Sequence, residues 1–233
     1  MSCVGQQLIG LDSMLSPFAI GNLWVFQRLQ QAEVEALVRA GRGRQFKKGQ
    51  TFFMQGMPGD EVFLLMAGGA KLTKVNGKGQ ELILDIRRAG DFLGEHVLNK
   101  EFDYPLMATC LEGTLAWGFS REVFERLIME YPNIGLEVIK NLTRRIGWLT
   151  SQAEILATSD LKERLYRVLS MLGREYGERI QQRTVIQFLL THEELSFLVG
   201  AHRVSVTRAM KALRDSGLII QEGRTLTLLN NEQ

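Results

Sequence analysis

Arg203, Ser205, Thr207, Arg208 and Lys211 fall at spacings that line one side of a helix, while Val206, Ala209, Met210 and Leu213 line the other. Guanidinium, ammonium and hydroxyl donors in that arrangement suit phosphates and the edges of guanine bases. A shorter helix precedes this one, with Leu195, Leu198 and Val199 as its apolar face, and Gly200 breaks the two apart. Thr191 followed by Glu194 is a capping box that fixes where the first helix begins. Two helices joined by a short Gly-containing turn form a helix-turn-helix unit. Beyond Gly217, the runs Leu218–Gln221 and Thr225–Leu229 flank Glu222-Gly223-Arg224 as a hairpin, so the unit is expected to be winged.

Other reactive chemistry is sparse. Three histidines are present, of which His192 and His202 lie in the helix-turn-helix, and the two cysteines are Cys3 and Cys110. No nucleophile–base pair, metal-ligand cluster or phosphate-cradling glycine loop stands out, so the chain does not read as an enzyme. An iron–sulfur cluster would need about four cysteines. Cys110 lies in an apolar, strand-like run and reads as a small buried hydrophobe, with a redox switch through Cys3 and Cys110 as the alternative.

The 233 residues suggest two domains; 45% hydrophobic and 23% charged residues are ordinary for a globular protein. A net charge of +2 neither advertises nor excludes nucleic acid, because a local cationic surface can be diluted by an acidic remainder. No apolar run approaches the ~20 residues that span a bilayer, and no secretory signal is visible, so no membrane role is expected. With so few cysteines, a reducing, cytoplasmic location is expected.

The elements that would position the basic helix follow from periodicity. Gln31 to Ala40 reads as a helix. Phe18, Ile20 and Trp24 read as core or packing residues. Between Gly41 and Ser120 lie 13 of the 23 glycines, separating short runs at Gln50–Gln55, Glu61–Ala67, Ala70–Val75, Glu81–Arg87 and Thr114–Phe119. Asn76-Gly77-Lys78-Gly79 is a hairpin signal between two of them. This texture predicts a small antiparallel barrel or roll. After a helix at Arg121–Met129 and Pro132, residues Ile139, Leu142, Ile146, Leu149, Ala153 and Leu156 keep an a/d heptad seam, the pattern of a coiled coil. Asp160 with Glu163 reads as a cap that starts a new helix, carrying Leu161, Leu165, Val168, Leu169 and Leu172 inward. Thr184 to Leu189 reads as a strand. The expected class is α+β: an antiparallel, cupin-like β-roll over 1–131, a dimerisation helix over 132–158, and a winged helix-turn-helix domain over 159–233.

That combination resembles the CRP/FNR family of bacterial transcription regulators over nearly the whole chain. The most specific stretches are Leu190–Leu229, and Gly56-x-x-Gly59-Asp60 through Gly90-Asp91-Phe92-Leu93-Gly94-Glu95. The resemblance implies an effector-controlled homodimer on a palindromic double-stranded DNA operator, with RNA polymerase as a further partner. It puts Arg203 where the family carries an arginine that grips guanine, and Arg208 on a second base- or phosphate-contacting arginine. His202, Ser205 and Lys211 match positions that touch the DNA backbone, and His192 matches a phosphate contact from the first helix. Val204 stands where many members carry a base-reading glutamate. A valine cannot accept from cytosine N4 but can touch a thymine methyl, so the half-site is expected to depart from the best-known consensus.

The resemblance also frames the sensor. Cyclic-nucleotide members pair a Gly-Glu with an Arg-Ser about ten residues later. Gly94-Glu95 is present here, but the later residues are Tyr104-Pro105-Leu106-Met107, and no arginine or lysine lies from Leu106 to Glu112. Cyclic AMP is therefore not the expected effector. The halogenated-phenol branch suggests instead an organic effector between roll and long helix, near Gly94 and Glu95. Tyr104, Leu106 and Trp148 would line it, and Arg144 and Arg145 would supply a cation. Plain packing is the alternative for Trp148. The haem carbon monoxide branch is a second alternative. His96 matches its histidine ligand, but the cysteine used by some oxidised members falls at Gly94.

Overall fold

The computed structural model describes residues 23–99, 103–187 and 190–229. The expectations for Cys3, Phe18 and Ile20, and for the end of the strand at Phe188 and Leu189, lie outside these residues. The described residues divide into two compact units, one running to Arg144 apart from Glu81–Ile83, the other made of Glu81–Ile83 and the residues from Arg145 on.

After a 3-10 turn at Trp24–Phe26, the described part of the first unit continues in α1 (Gln31–Ala40), at whose start the Glu33 carboxylate accepts from the Gln30 amide at 2.7 Å. The strands β1 (Arg42–Phe46), β2 (Thr51–Phe53), β3 (Glu61–Ala67), β4 (Gly69–Val75), β5 (Glu81–Arg88), β6 (Phe92–Leu93), β7 (Met107–Cys110) and β8 (Thr114–Ser120) follow. They form two four-stranded sheets, in the orders β1-β8-β3-β6 and β2-β7-β4-β5. The β4–β5 hairpin turns where expected: Asn76 Oδ1 accepts from the Lys78 and Gln80 amides at 2.9 and 3.0 Å. β1 was not foreseen. Its sequence, Arg-Gly-Arg-Gln-Phe, is polar and almost wholly exposed, and only its backbone pairing with β8 makes it a strand.

Phe26, Phe63, Phe92, Phe119 and Phe124 fill the core, Phe92 and Phe119 both contacting Phe124. Phe124 belongs to α2 (Arg121–Glu130), which Ser120 caps. The long helix α3 (Pro132–Thr158) has 27 residues, about 40 Å, and starts with proline in its first turn. All the seam positions are exposed, Ile139 at 59% and Ile146 at 64%. One residue back from the seam runs a second stripe that is buried instead: Asn141, Arg145, Trp148, Gln152 and Ile155.

In the second unit, α4 (Leu161–Tyr176) begins at Asp160, whose Oδ1 accepts from the Glu163 amide at 3.0 Å. Strands β9 (Glu178–Ile180) and β10 (Arg183–Ile186) make a hairpin, and β11 (Ile219–Glu222) and β12 (Thr225–Leu229) complete a sheet ordered β11-β12-β10-β9. Helices α5 (His192–Val199) and α6 (Arg203–Asp215) both pack on α4. Leu165, Leu169, Leu195, Leu198, Val206, Met210 and Leu213 are the buried apolar faces of these three helices.

Candidate nucleic-acid interface

The start of α5 is fixed locally. Thr191 Oγ1 accepts from the Glu194 amide at 3.1 Å, and the Glu194 carboxylate accepts from the Thr191 amide at 2.9 Å. The helix ends at Gly200, whose φ of 62° and ψ of 47° are left-handed, and the Ala201 amide returns to the Ser196 carbonyl at 3.0 Å. Gly200-Ala201-His202 is therefore a tight turn, and α6 leaves it with one face buried and the other in solvent.

That outer face carries the expected residues. His202, Arg203, Val204, Thr207, Arg208 and Lys211 are exposed and Ser205 is half-buried. Val204 is 62% exposed in the first turn of α6, an apolar side chain with nothing in the unit to cover it. His202 is the N-cap by position, but its side chain makes no capping hydrogen bond. Thr207 is partly committed inside the protein: its hydroxyl donates to the Arg203 carbonyl at 3.0 Å and meets His192 Nδ1 at 2.9 Å. His192 thus ties α5 to α6. Burial lowers its pKa, and the charges of Arg214 and Arg203 add to that. Arg214 donates to Gln221 at 3.1 Å, joining α6 to the wing, whose turn is Gly223-Arg224.

Within the first unit, the Gly90-Asp91 and Gly94-Glu95 pairs lie beside a buried charge network. Arg87 pairs with Asp85 at 2.7 Å and Glu95 at 3.0 Å, each side chain being about 4% exposed or less. Arg87 also donates to the Phe92 carbonyl at 3.1 Å and lies 3.4 Å from Asn141 Oδ1. Asp91 accepts from Asn141 at 3.2 Å and Arg144 at 2.5 Å, and Arg144 stacks over the Trp24 ring at 3.7 Å. Gly90 is required by that stack: its φ is 90°, and a Cβ would stand 2.2 Å from the Trp24 indole.

Of the expected effector residues, Gly94, Glu95, Tyr104, Leu106 and Arg144 belong to this unit, and Arg145 and Trp148 to the other. Glu95 is bonded to Arg87. Tyr104 stacks on Phe53 at 3.9 Å, and its hydroxyl donates to the Glu61 carbonyl at 2.9 Å and accepts from the Glu61 amide at 3.1 Å. Burial pushes the Tyr104 phenol up. Leu106 packs against the aromatic core. Arg145 meets the Tyr176 hydroxyl at 3.0 Å and Glu175 at 3.5 Å, and Trp148 is 7% exposed. His96 is exposed on the short 3-10 turn Glu95–Leu98. Among the described residues no three His, Cys, Asp or Glu side chains gather as a metal site. Cys110 is buried, and that burial raises its thiol pKa.

A cyclic nucleotide-binding domain model matches residues 43–131, and a Crp-like helix-turn-helix domain model matches residues 163–233. This chain belongs to the CRP/FNR family. Its family relatives include the CRP-like cAMP-activated global transcriptional regulator of Mycobacterium tuberculosis. That protein is 25% identical over 209 residues, covering 90% of this chain and 93% of the relative. The global nitrogen regulator of Synechococcus elongatus is 28% identical over 188 residues, covering 80% and 85%. The structure of the c-di-GMP responsive global regulator CLP of Xanthomonas campestris has the same fold, with a TM-score of 0.72 at 23% identity over 87% of this chain and 100% of that one. CRP/FNR members are DNA-binding transcription regulators, and this chain carries both of their modules. No helix among its described residues is long and apolar enough to cross a membrane.

Two residues central to these sites went unassigned in the sequence. Arg87 was read as the end of a strand, although its spacing of two from Asp85 puts opposite charges on one strand face. Arg164, which donates to the Val199 carbonyl at the end of α5 at 3.0 Å, sits in an ordinary amphipathic helix, and nothing local marks it.

Proposed function

We propose that this protein is a homodimeric, effector-controlled regulator that binds a palindromic operator through α6. The observation that carries the reading is the outer face of α6, where Arg203, Val204, Arg208 and Lys211 stand in solvent on a helix whose other face is buried. Arg203 is the guanine reader, Val204 touches a thymine methyl, and His202, Ser205, Arg208 and Lys211 hold phosphates or neighbouring bases. His192 and Thr207 position the first turn as much as they contact DNA. The exposed seam of α3 supports pairing of two chains, which sets their recognition helices on successive major grooves about 34 Å apart. RNA polymerase is the expected partner of the operator-bound dimer.

The effector in this reading is a small organic molecule acting where the roll meets the first half of α3, around Arg87, Glu95, Asn141 and Arg144. Glu95 Oε2 is buried and accepts no hydrogen bond among the described residues, which favours a ligand with a hydroxyl or amine donor. Arg87 is already held by Asp85 and Glu95, which disfavours a phosphate and hence a cyclic nucleotide. His96 in an exposed turn does not favour haem.

The test is operator selection from a random-sequence pool followed by gel-shift titration of Arg203→Ala. The variant should fold normally and lose about 1–3 kcal/mol of discrimination at one base pair of each half-site. Retention of full discrimination would remove the base-reading role.

A further inference from the structure

The second unit holds a groove of about 750 Å³ that none of the DNA-binding helices lines. It lies against the last part of α3, α4, and strands β9, β10 and β12. Its size falls in the range of small-molecule pockets.

The groove's rim is cationic. Arg167 is held in place by Glu154 at 2.6 Å and by Ser159 Oγ at 3.2 Å, so its charge is largely offset. Arg174 and Arg179 are exposed and make no ion pair or hydrogen bond among the described residues. The floor is different in kind: Ile155, Met171 and Leu228 are 2%, 5% and 2% exposed. Tyr166 is half-buried between rim and floor, and its hydroxyl makes no hydrogen bond among the described residues. Ile155, Met171 and Leu228 are too deeply buried to offer a ligand much surface, so the two uncommitted guanidinium groups and the half-buried Tyr166 ring match a ligand with an anionic end on an aromatic body.

The heptad positions of α3 do not use the groove's residues. Its α3 residues, Ser151, Glu154 and Ile155, face away from Leu149, Ala153 and Leu156 of the seam, more than a quarter turn around the helix. We infer that this groove is a second small-molecule site, specific for an amphiphilic anion: a carboxylate or phosphate monoester on an aromatic body. Such a ligand bridges α4, the β9–β10 hairpin and the end of α3, and so stiffens the joint at Thr158–Asp160. The inference does not depend on the effector site in the roll.

Isothermal titration calorimetry of the full chain with phenyl phosphate, benzoate and inorganic phosphate tests it without DNA. Phenyl phosphate and benzoate should bind at one site per chain, and inorganic phosphate more weakly because it has no ring to set against Tyr166. Arg174→Ala/Arg179→Ala should weaken phenyl phosphate by about tenfold or more, the scale of one lost charge-assisted hydrogen bond. Both residues are exposed, so the variant should keep the parent's thermal midpoint. Absence of binding, or equal binding by parent and variant, would overturn the inference. So would a variant that still binds phenyl phosphate but holds operator DNA less tightly with a shallower salt dependence, since the arginines would then serve the DNA backbone.

Discussion

Arg164 of α4 donates from Nη1 to the Val199 carbonyl at 3.0 Å and from Nη2 to the Ser159 carbonyl at 3.1 Å. Val199 ends the first helix of the helix-turn-helix, and Ser159 lies in the link between α3 and α4. One guanidinium thus satisfies a helix-end carbonyl and fixes the link beside it. Arg164→Ala should destabilise the protein by about 1–3 kcal/mol, measured by urea unfolding. Arg164→Lys should recover part of that, because an ammonium cannot span both carbonyls. Unchanged unfolding in the alanine variant would show the two bonds to be inconsequential.

Val204 offers a test that uses the DNA. Replacing each operator thymine in turn by deoxyuridine removes only a methyl group. At one position per half-site this should cost about 0.5–1 kcal/mol of affinity, near the value of one buried methyl. In Val204→Ala the same replacement should cost little. If every position behaves identically in parent and variant, Val204 does not read a methyl.

The buried Arg87 should be sharply asymmetric in its tolerance. Arg87→Met removes the cation that both Asp85 and Glu95 bind, and should cost about 3–5 kcal/mol. Arg87→Met combined with Asp85→Leu and Glu95→Leu should regain much of that loss, because no unpaired charge remains. Thermal or denaturant unfolding of both variants decides the matter, and a well-tolerated Arg87→Met would contradict the network.

His192 makes stability depend on pH. Its pKa is lowered in the folded state, so the unfolded chain takes up a proton first, near the ordinary histidine value of about 6.5. The penalty is absent above that value and grows as pH falls through it toward the folded pKa. His192→Asn keeps a polar partner for Thr207 but cannot titrate. Urea midpoints of the two proteins should converge with falling pH relative to their difference at about pH 7.5, as the parent alone loses stability. A constant difference would exclude the mechanism.

The parts legible from sequence were those set by near neighbours. Thr191 with Glu194, Asp160 with Glu163, and Asn76 before Gly77 all act within four residues, and all are where expected. The long helix α3 was legible because its apolar residues keep a helical spacing over many turns. The buried stripe beside it was not, because Asn141, Arg145 and Gln152 look like solvent residues until their partners are known. In the sensor, adjacent Arg144 and Arg145 looked equivalent as cations. A helix turns by about 100° per residue, and that step sends one to Asp91 and the other to Tyr176. β1 escaped for the reason that makes it an edge strand: it buries almost nothing.

In the proposed dimer, the uncovered Ile139 and Ile146 would give the protein a dependence on copy number. If two chains must join before a palindrome can be gripped, then at low abundance doubling the chains per cell quadruples the competent species. A promoter read this way responds to the synthesis rate of its regulator more steeply than one read by a single chain. Dilution by cell growth after synthesis stops would then weaken its hold without any change in effector.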